Sequence, residues 1–362
     1  MVIDPDFWTR RRVLVTGHTG FKGAWLSLWL QSLGAEVTGL SRGVARGPSF
    51  YELAGVGAQM REQALDIRDV EGVRDALARA RAEIVFHLAG QPLVGRSLRD
   101  PVATFEVNLM GTVNVLDAVR LVGEGVRAVV LVTSDRCYDS AAVSSRPLRE
   151  SDPLGASDPY AGSKAAAELA AGAYRRSFFT SDGAARIATV RAGNVIGGGD
   201  WGEDRLLPDA VRAVESGRPL RVRSPLAVRP WQHVLNPLSG YLRLAEALLG
   251  EEQIAGAWNF GPAADDLQTV SWIVERLAGL WDGELQWELE EGSEAPQDAP
   301  LALDSAAAQR VLGWRPTWDL ADALELLVGW HRAQRRGEDM RRVSLEQLES
   351  FAVPHPPIIG GG

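Results

Sequence analysis

The sequence predicts an α/β fold, in which a doubly wound parallel sheet is followed by a smaller α/β lobe. Short apolar runs of strand length alternate along the first half of the chain with longer segments whose apolar residues recur at helical spacing. A glycine-rich turn stands directly after the first of these runs. Because strands that alternate with helices are typical of parallel sheets covered on both faces, the pattern predicts this fold class.

The predicted strands are rich in aliphatic and β-branched residues and occupy 12–16, 36–40, 63–65, 83–88, 128–133 and 186–191. Predicted helices lie between them, at 24–33, 70–81, 102–122 and 159–177. A loop rich in glycine, arginine and serine, 41–49, follows the second strand.

The character of the sequence changes after Asn194. The stretch 196–204 is too rich in glycine for a regular helix or strand, and nine of the twelve tryptophans follow residue 194. We therefore divide the chain into a first domain, a smaller lobe and a frayed tail, at 1–194, 195–350 and 351–362. A segment near 232–260 is expected to return to the first domain.

Composition argues against several classes of function. The net charge of −9 and a pI near 5.2 disfavour a surface for nucleic acid or an anionic membrane. A single cysteine, Cys137, excludes an intrachain disulfide, and the five histidines lack the spacing of a metal site. The N-terminus has no apolar core, and no apolar run approaches the ~20 residues of a membrane span. We expect a cytoplasmic protein without a metal site.

Three glycines, Gly17, Gly20 and Gly23, form a G-x-x-G-x-x-G motif between the first strand and the first helix. The first permits a tight turn, the second lets the backbone approach a pyrophosphate, and the third allows the helix to pack closely. The pattern predicts a dinucleotide-binding Rossmann domain with Thr19 and Phe21 beside the cofactor. The alternative is a glycine-rich turn without a ligand.

The choice between NAD and NADP stays open in the sequence. The second strand ends in Leu40-Ser41-Arg42, without the acid that normally binds the ribose of NAD. Arg42 either meets a 2′-phosphate or lies in solvent. Asp66 and Ile67, after the third strand, are candidates to flank the adenine, although Asp66 could equally cap the next helix.

Tyr160 and Lys164 form a Y-x-x-x-K motif at the start of a predicted helix. The spacing of four residues places both side chains on one helix face. A nearby ammonium is expected to lower the pKa of the phenol, which then exchanges a proton with a substrate hydroxyl. The motif is common, so it is weak when taken alone.

Together with the glycine motif, Tyr160 and Lys164 resemble the extended short-chain dehydrogenase/reductases. HLAG at 87–90, Asn108, TSD at 133–135 and the segment 303–324 add to the resemblance. It implies that Leu88, Ala89 and Asn108 contact the cofactor and that the second lobe binds a sugar nucleotide.

Within that family the chain resembles the CDP-glucose 4,6-dehydratases, from about residue 8 to residue 345. The stretches that carry this resemblance are 16–30, 84–94, 133–140, 157–164, 190–209, 229–242 and 258–262. RAGNVIGGGDW at 191–201 and RPWQHV at 229–234 are far more specific than the glycine motif.

The resemblance implies a reaction with a tightly bound NAD. Tyr160 takes the proton of the sugar 4-hydroxyl while C4 gives a hydride to the nicotinamide, and a base then removes the C5 proton. Asp135, next to Ser134, protonates the departing 6-hydroxyl, and hydride returns to C6 to give a 4-keto-6-deoxy sugar nucleotide. Asp135 therefore needs a raised pKa in a site shielded from water. Without the resemblance, Asp135 would be interpreted as a helix cap or turn acid.

The resemblance also implies contacts to the sugar nucleotide. Asn194 is similar to the family's pyrophosphate-binding asparagine, and the guanidinium of Arg229 suits a diphosphate. The weaker candidates are Gln91, Trp201, Arg205 and His233. For Trp201, a core or edge position is nearly as typical as a contact to the sugar nucleotide. For His233, the alternative is a structural histidine.

The sequence departs from the family pattern close to the sugar. Arg136 stands where the family has a lysine, and an arginine is always protonated. Either the chain has lost the usual C5 base, or this position only stabilises the enolate. Gly95 and Leu98 replace an arginine and an aromatic residue, although Arg96 is a candidate substitute.

Two other functions remain open. An NDP-sugar 4-epimerase or related reductase would use Tyr160 and Lys164 but would need neither Asp135 nor a C5 base. A non-catalytic NAD(P)-binding regulator would need none of these groups. The family also implies a homodimer or homotetramer assembled through the helices at 102–122 and 160–177. The sequence does not fix the nucleobase or the C2 configuration of the sugar.

Overall fold

The structure, a computed structural model, describes residues 3–44, 47–123, 125–139, 142, 146–250, 254–290 and 301–352. Part of the predicted loop at 41–49, and all but two residues of the predicted frayed tail at 351–362, lie outside the described residues. No helix in the described part of the chain has the length and apolar character needed to cross a membrane.

A parallel sheet of seven strands lies at the centre of the described chain. Its strands are β1 (Arg12–Thr16), β2 (Glu36–Ser41), β3 (Arg61–Ala64), β4 (Ile84–His87), β5 (Ala128–Val132), β6 (Arg186–Ala192) and β10 (Ala257–Phe260). Four short strands form two further parallel pairs: β7 (Val195–Ile196) with β9 (Gln232–His233), and β8 (Leu220–Val222) with β11 (Trp287–Leu289).

The helices before β6 are α1 (Pro5–Trp8), α2 (Phe21–Ser32), α3 (Phe50–Leu53), α4 (Val70–Ala80), α5 (Val94–Arg99), α6 (Pro101–Phe105), α7 (Gly111–Val122) and α8 (Pro159–Phe178). Those after β6 are α9 (Leu206–Ser216), α10 (Leu235–Gly250), α11 (Val270–Leu280), α12 (Ala306–Val311), α13 (Leu320–Arg335) and α14 (Met340–Ala352).

The strand order of the large sheet places a ligand site at its carboxyl edge. The order is β3-β2-β1-β4-β5-β6-β10, so the chain runs outward from β1 in one direction and then returns to start again at β4. β1 and β4 are hydrogen-bonded in register, with Thr16 opposite His87. Ligands of doubly wound sheets bind where the order reverses, which here is just beyond Thr16 and His87.

The predicted fold class is confirmed, and the six predicted strands occur within one or two residues of their predicted ends. The predicted helix at 102–122 is confirmed as continuous helical backbone, with one π-helical turn over Glu106–Met110 between α6 and α7. A π turn widens the helix locally and commonly marks a functional position. Asn108 lies in this turn and is buried.

The segment after the glycine-rich stretch contributes to both parts of the molecule. β10 pairs in parallel with β6 at the edge of the large sheet, and α10 packs with α2 into one apolar core. A separate core forms between α9, α11 and α13. The predicted domain boundaries, with a segment near 232–260 returning to the first domain, stay a prediction.

A buried ion pair joins α8 to the sheet. The guanidinium of Arg191, in β6, donates to both oxygens of Glu168 at 2.9 and 2.8 Å, and both side chains are almost fully buried. The hydroxyls of Thr133 and Thr189 donate to the same carboxylate at 2.5 and 2.8 Å. These bonds hold the pKa of Glu168 below its usual value in spite of its burial. The helix that carries Tyr160 is therefore fixed by a fully hydrogen-bonded charge.

We predict that Arg191→Met lowers the free energy of unfolding by about 3–5 kcal/mol, because it leaves the Glu168 carboxylate buried without its cation. Urea unfolding of the purified protein measures this change. The double variant with Glu168→Met is expected to recover much of the loss. The control is Arg276→Met, which breaks the exposed pair with Glu325 and should cost only about 0.2–1 kcal/mol. Equal losses for Arg191→Met and Arg276→Met would contradict the prediction.

Candidate active site

The three glycines of the motif lie where the chain turns from β1 into α2. Gly17 has a φ of +74°, and a Cβ added to it would come within 2.7 Å of the backbone nitrogen of Ala89. A Cβ on Gly23 would lie 2.2 Å from the carbonyl oxygen of Gly17. Gly20 is the N-cap of α2 and has no side chain to cover the first N–H groups of the helix. The turn therefore leaves a helix N-terminus bare at the reversal of strand order, which fits a pyrophosphate.

The rim of this turn carries the candidates for the adenosine end of a dinucleotide. The hydroxyl of Thr19 donates to the carbonyl of Gly43 at 2.9 Å. Arg42 is more than half exposed and lies 3.9 Å from Asp66. Phe21 is partly buried and packs on the main core.

Asp66 is held by Arg68, whose side chain and backbone N–H donate to the carboxylate. These bonds lower the pKa of Asp66. The cap of α4 is Asp69, so the alternative of Asp66 as a helix cap is wrong. Ile67 is buried, and a Cβ on Gly111 of α7 would collide with it.

The segment after β4 is fixed by buried hydrogen bonds. The N–H of Ala89, which follows Leu88, donates to the hydroxyl of Thr16 at 3.1 Å. The amide of Asn108 accepts from the backbone of Gln91 and donates to the carbonyl of Gln91 and to the hydroxyl of Ser163. Asn108 therefore joins this segment to α8.

The Gln91 side chain bonds within its own loop, to the backbone of Leu93 and to the hydroxyl of Thr104. This side chain fixes the segment that leads into α5, the helix that carries Gly95 and Arg96.

Tyr160 and Lys164 meet Ser134 and Asp135 at the carboxyl end of β5. Tyr160 is in the first turn of α8, and Ser134 is close enough to it to lower its pKa. The Ser134 hydroxyl donates to a carboxylate oxygen of Asp135 at 3.0 Å. The ammonium of Lys164 donates to the carbonyl of Val132 at 3.1 Å. The sequence motifs at 133–135 and 160–164 thus form one buried cluster.

Burial is the largest influence on the ionisation of this cluster. It raises the pKa of Asp135, in spite of the opposing hydrogen bond from Ser134. It also lowers the pKa of Lys164 to about 8. The expected lowering of the Tyr160 pKa is wrong for the protein alone: burial raises it, against smaller opposing effects of Ser134, Arg205 and Arg136. Lys164 is not among the groups that act on Tyr160. Loss of solvent, and not the spacing of the two residues on α8, decides the direction of the Tyr160 pKa.

Arg136 ties the turn after β5 to the start of α8. Its guanidinium donates to Asp158 at 2.5 Å, and its backbone N–H donates to the Ser134 hydroxyl at 3.2 Å. The other carboxylate oxygen of Asp158 accepts from the backbone N–H of Ala161 and caps α8. The Nε of Arg136 is buried and has no partner among the described residues. Arg136 is thus a fixed cation with one N–H unused.

The candidates for the sugar nucleotide lie on the segments between β6 and α10. Arg205 pairs with Asp200 at 3.0 Å and lies close enough to Tyr160 to affect its pKa. Asn194 is exposed and joins β7 to β9 through its carbonyl. Arg229 is partly buried in the segment before β9.

His233 and Trp201 have structural surroundings. His233 is fully buried with its ring against Trp25 and Trp318, and burial lowers its pKa to about 3. The Trp201 ring meets Trp330 edge to face. Both residues pack in the core, which agrees with the structural alternative for each. The ligand contacts of all the candidate residues stay predictions.

Lys22 is a site residue that the sequence interpretation missed. It lies inside the glycine motif, in the first turn of α2, and its ammonium is 3.5 Å from the hydroxyl of Tyr241 in α10. Burial lowers its pKa to about 8, and the charges of Lys164, Asp135 and Arg205 also act on it. The sequence contained a signal for Lys22. Of the 38 basic residues, 36 are arginines, and the two lysines are Lys22 and the predicted site residue Lys164.

The fold, the bare helix N-terminus and the Tyr160–Lys164 pair define a dinucleotide-dependent enzyme of the short-chain dehydrogenase type. The chain belongs to the NAD dependent epimerase/dehydratase family, which it matches over residues 13–259.

The relatives of this chain carry the names of enzymes that act on nucleotide sugars. The chain is 45% identical to the CDP-glucose 4,6-dehydratase of Salmonella typhimurium, covering 97% of this chain and 98% of that protein. Among solved structures it is similar to the dTDP-glucose 4,6-dehydratase of Streptomyces venezuelae with NAD bound (TM-score 0.74, 26% identity, 91% of this chain and 99% of that one). The UDP-glucose 4-epimerase of Thermus thermophilus, also with NAD, is similar too (TM-score 0.74, 28% identity, 89% and 99%).

We predict that Gly23→Ala abolishes retention of NAD, because the added methyl group would collide with the Gly17 carbonyl and push α2 away from the turn. The NAD released from denatured, purified protein measures this. Gly279→Ala is the matched control, since its Cβ would have no neighbour within 4 Å. A Gly23→Ala protein that keeps as much NAD as the control would contradict the proposed pyrophosphate site.

Proposed function

We propose that this chain catalyses the NAD-dependent 4,6-dehydration of a nucleoside-diphosphate hexose, with CDP-glucose converted to CDP-4-keto-6-deoxyglucose. The observation that carries the proposal is the buried carboxyl group of Asp135, which accepts a hydrogen bond from Ser134 and acts on the pKa of Tyr160. Loss of the 6-hydroxyl needs a protonated acid, and burial raises the pKa of Asp135 as that role requires. The 45% identity to a CDP-glucose 4,6-dehydratase supports the same reaction and nucleobase.

The glycine turn is suited to hold the cofactor. The backbone N–H groups at the start of α2 would bind its pyrophosphate, with Gly17, Gly20 and Gly23 leaving room for it. When bound, NAD accepts a hydride from C4 of the sugar and returns it at C6. Arg42 is exposed and lies close to Asp66. Since an exposed arginine here suits a 2′-phosphate, NADP is the alternative cofactor.

Proton transfer is assigned to the chain's own groups. Tyr160 takes the proton of the 4-hydroxyl, and Asp135 gives a proton to the departing 6-hydroxyl. The hydroxyl of Ser134 donates to Asp135 and lies close enough to Tyr160 to lower its pKa, so it is the group suited to pass a proton from Tyr160 to Asp135. The raised pKa of the Tyr160 phenol favours proton uptake from the 4-hydroxyl but requires that the proton move on before the next cycle.

Arg136 serves as a fixed cation at the edge of the sugar site. A guanidinium does not lose its proton, so it cannot act as the C5 base. Its ion pair with Asp158 fixes its position, and its buried Nε–H remains available to a developing enolate oxygen. Arg205 and Arg229 would bind the diphosphate, with Asn194 beside them.

A second candidate function is an NDP-sugar 4-epimerase, which the similarity to the Thermus thermophilus enzyme favours. An epimerase needs Tyr160 and Lys164 but has no step that uses the acid Asp135. The buried Ser134–Asp135 pair is therefore the feature that favours dehydration.

The proposed enzyme is a cytoplasmic homodimer. Large apolar side chains are exposed along α5 to α8: Leu98, Val102, Met110, Leu121, Leu169 and Phe178. Exposed apolar side chains on these helices support an interaction site there, because the family resemblance implies assembly through the helices at 102–122 and 160–177. A homotetramer is the alternative.

We predict that the purified protein converts CDP-glucose into a product lighter by one water, and that Tyr160→Phe lowers this rate by about 10²–10⁴-fold. The substitution removes only the phenol hydroxyl, so binding of CDP-glucose should be nearly unchanged. Mass spectrometry after incubation with a panel of NDP-sugars measures both nucleobase preference and water loss. Inversion at C4 without water loss would favour the epimerase, and near wild-type turnover of Tyr160→Phe would exclude the proposed mechanism.

Arg136→Ala is expected to slow water loss by about 3–4 kcal/mol in activation free energy, because it removes preorganised charge beside the enolate. C4 oxidation should persist, so reduced cofactor and a 4-keto hexose would accumulate in single-turnover absorbance and mass measurements. Arg136→Lys should keep water loss.

The matched control for Arg136 is Asp158→Asn, which breaks the ion pair while asparagine still caps α8. It should impair water loss less than Arg136→Ala. Equal effects of the two variants on every step would show that Arg136 acts only through the position of α8.

A further inference from the structure

The basic residues of this chain are almost all arginines. Of 38 lysines and arginines, two are lysines, Lys22 and Lys164. An arginine supplies a permanent charge and binds phosphate at least as well as a lysine. A lysine differs from it in being compact and in being able to lose its proton near neutral pH. The chain thus keeps lysine at two positions, and Lys22 is close enough to both Lys164 and Asp135 for their charges to act on it.

Lys22 lies within the electrostatic reach of the catalytic groups. Its ammonium lies 3.5 Å from the Tyr241 hydroxyl and 5.7 Å from the centre of that ring. No carboxylate hydrogen-bonds Lys22 in the part of the chain that the structure describes. The charges of Lys164, Asp135 and Arg205 act on Lys22. Asp135 and Tyr160 act on Tyr241, the residue that its ammonium contacts.

The ionisation of Lys22 suits proton transfer. Burial and the like charge of Lys164 lower its pKa to about 8, while Asp135 acts in the opposite direction. A fraction of the amine is therefore neutral near neutral pH, in contrast to Arg136. Lys164 has a similar pKa, but it lies one helical turn after Tyr160 and serves C4 oxidation.

We propose that Lys22 is the base that removes the C5 proton, which Arg136 cannot accept. The inference rests on the proposed function. The nitrogen lone pair of Lys22 takes the C5 proton, the C5–H electrons form the C5=C6 double bond, and the C6–O bond breaks. Asp135 gives its proton to the departing oxygen, which leaves as water. Lys22 then returns its proton to C5 when C6 receives the hydride, so the amine is regenerated in each cycle.

A role of Lys22 as a plain anion-binding cation is the alternative. An arginine would serve that role, and the chain has arginine at every other basic position except Lys164. The two roles differ in what Lys22→Arg does: it keeps the charge and removes the neutral amine.

The test follows the C5 proton directly. The holoenzyme is incubated in D₂O with CDP-4-keto-6-deoxyglucose, and deuterium at C5 is measured by NMR, which requires no net hydride transfer. Wild type should exchange the C5 proton at a rate that rises with pH and levels above about 8. Lys22→Met and Lys22→Arg should each lose at least about 10²-fold in exchange. In Lys22→Ala, added methylamine should restore exchange in proportion to its neutral form.

Three results would overturn the proposal: exchange by Lys22→Arg within a few-fold of wild type, no rescue by methylamine, or loss of bound NAD in all three variants. Should the variants fail to fold, acetylation of the two lysines of wild type across pH decides the matter by mass spectrometry. Lys22 should then titrate at about 8 and be protected by CDP-glucose, whereas a midpoint near the usual 10.5 would overturn the proposal.

The two proposals fail separately. If wild type releases no water from CDP-glucose, the proposed function fails. If wild type dehydrates CDP-glucose and Lys22→Arg does so as well, only the role of Lys22 fails.

Discussion

Removal of water from a few ionisable side chains is the constraint on which the site depends. For Lys22, Asp135, Tyr160 and Lys164, burial is the largest influence on the pKa, and it favours the neutral form of each. A neutral carboxyl can donate a proton and a neutral amine can accept one. On an exposed surface at neutral pH, an aspartate would be ionised and a lysine almost fully protonated, so the first could not donate a proton and the second could not accept one.

The rest of the fold fixes this cluster in place. Glu168 lies one turn after Lys164 and is paired with Arg191, while Asp158 caps α8 and is paired with Arg136. The Arg136 pair holds the start of α8 against the turn after β5, and the Arg191 pair holds a later turn of α8 against β6. The two ion pairs stay charged because each of their groups has a hydrogen-bonded partner of opposite charge. The proton-transfer groups between them have few such partners, so burial shifts their pKa values.

Local sequence patterns predicted most of the fold, and they singled out the residues of the site that lie at 133–135 and 160–164. Alternating strands and helices, with glycines after β1, were sufficient for the parallel sheet, and the motifs at 133–135 and 160–164 met as expected. Three features depend on packing between distant segments. The π turn at Asn108, the Arg136–Asp158 pair and the Lys22–Tyr241 contact join positions that no local spacing relates. The direction of the Tyr160 pKa was wrong for the same reason, since burial is set by the whole fold.

The protonation of Asp135 tests the account most directly. Infrared difference spectroscopy of the holoenzyme against Asp135→Asn, near neutral pH, detects the C=O stretch of a protonated carboxyl group. The account predicts that wild type shows this band and that the variant lacks it, because burial raises the pKa of Asp135. A spectrum in which Asp135 contributes only carboxylate bands at neutral pH would contradict the claim that desolvation prepares the acid.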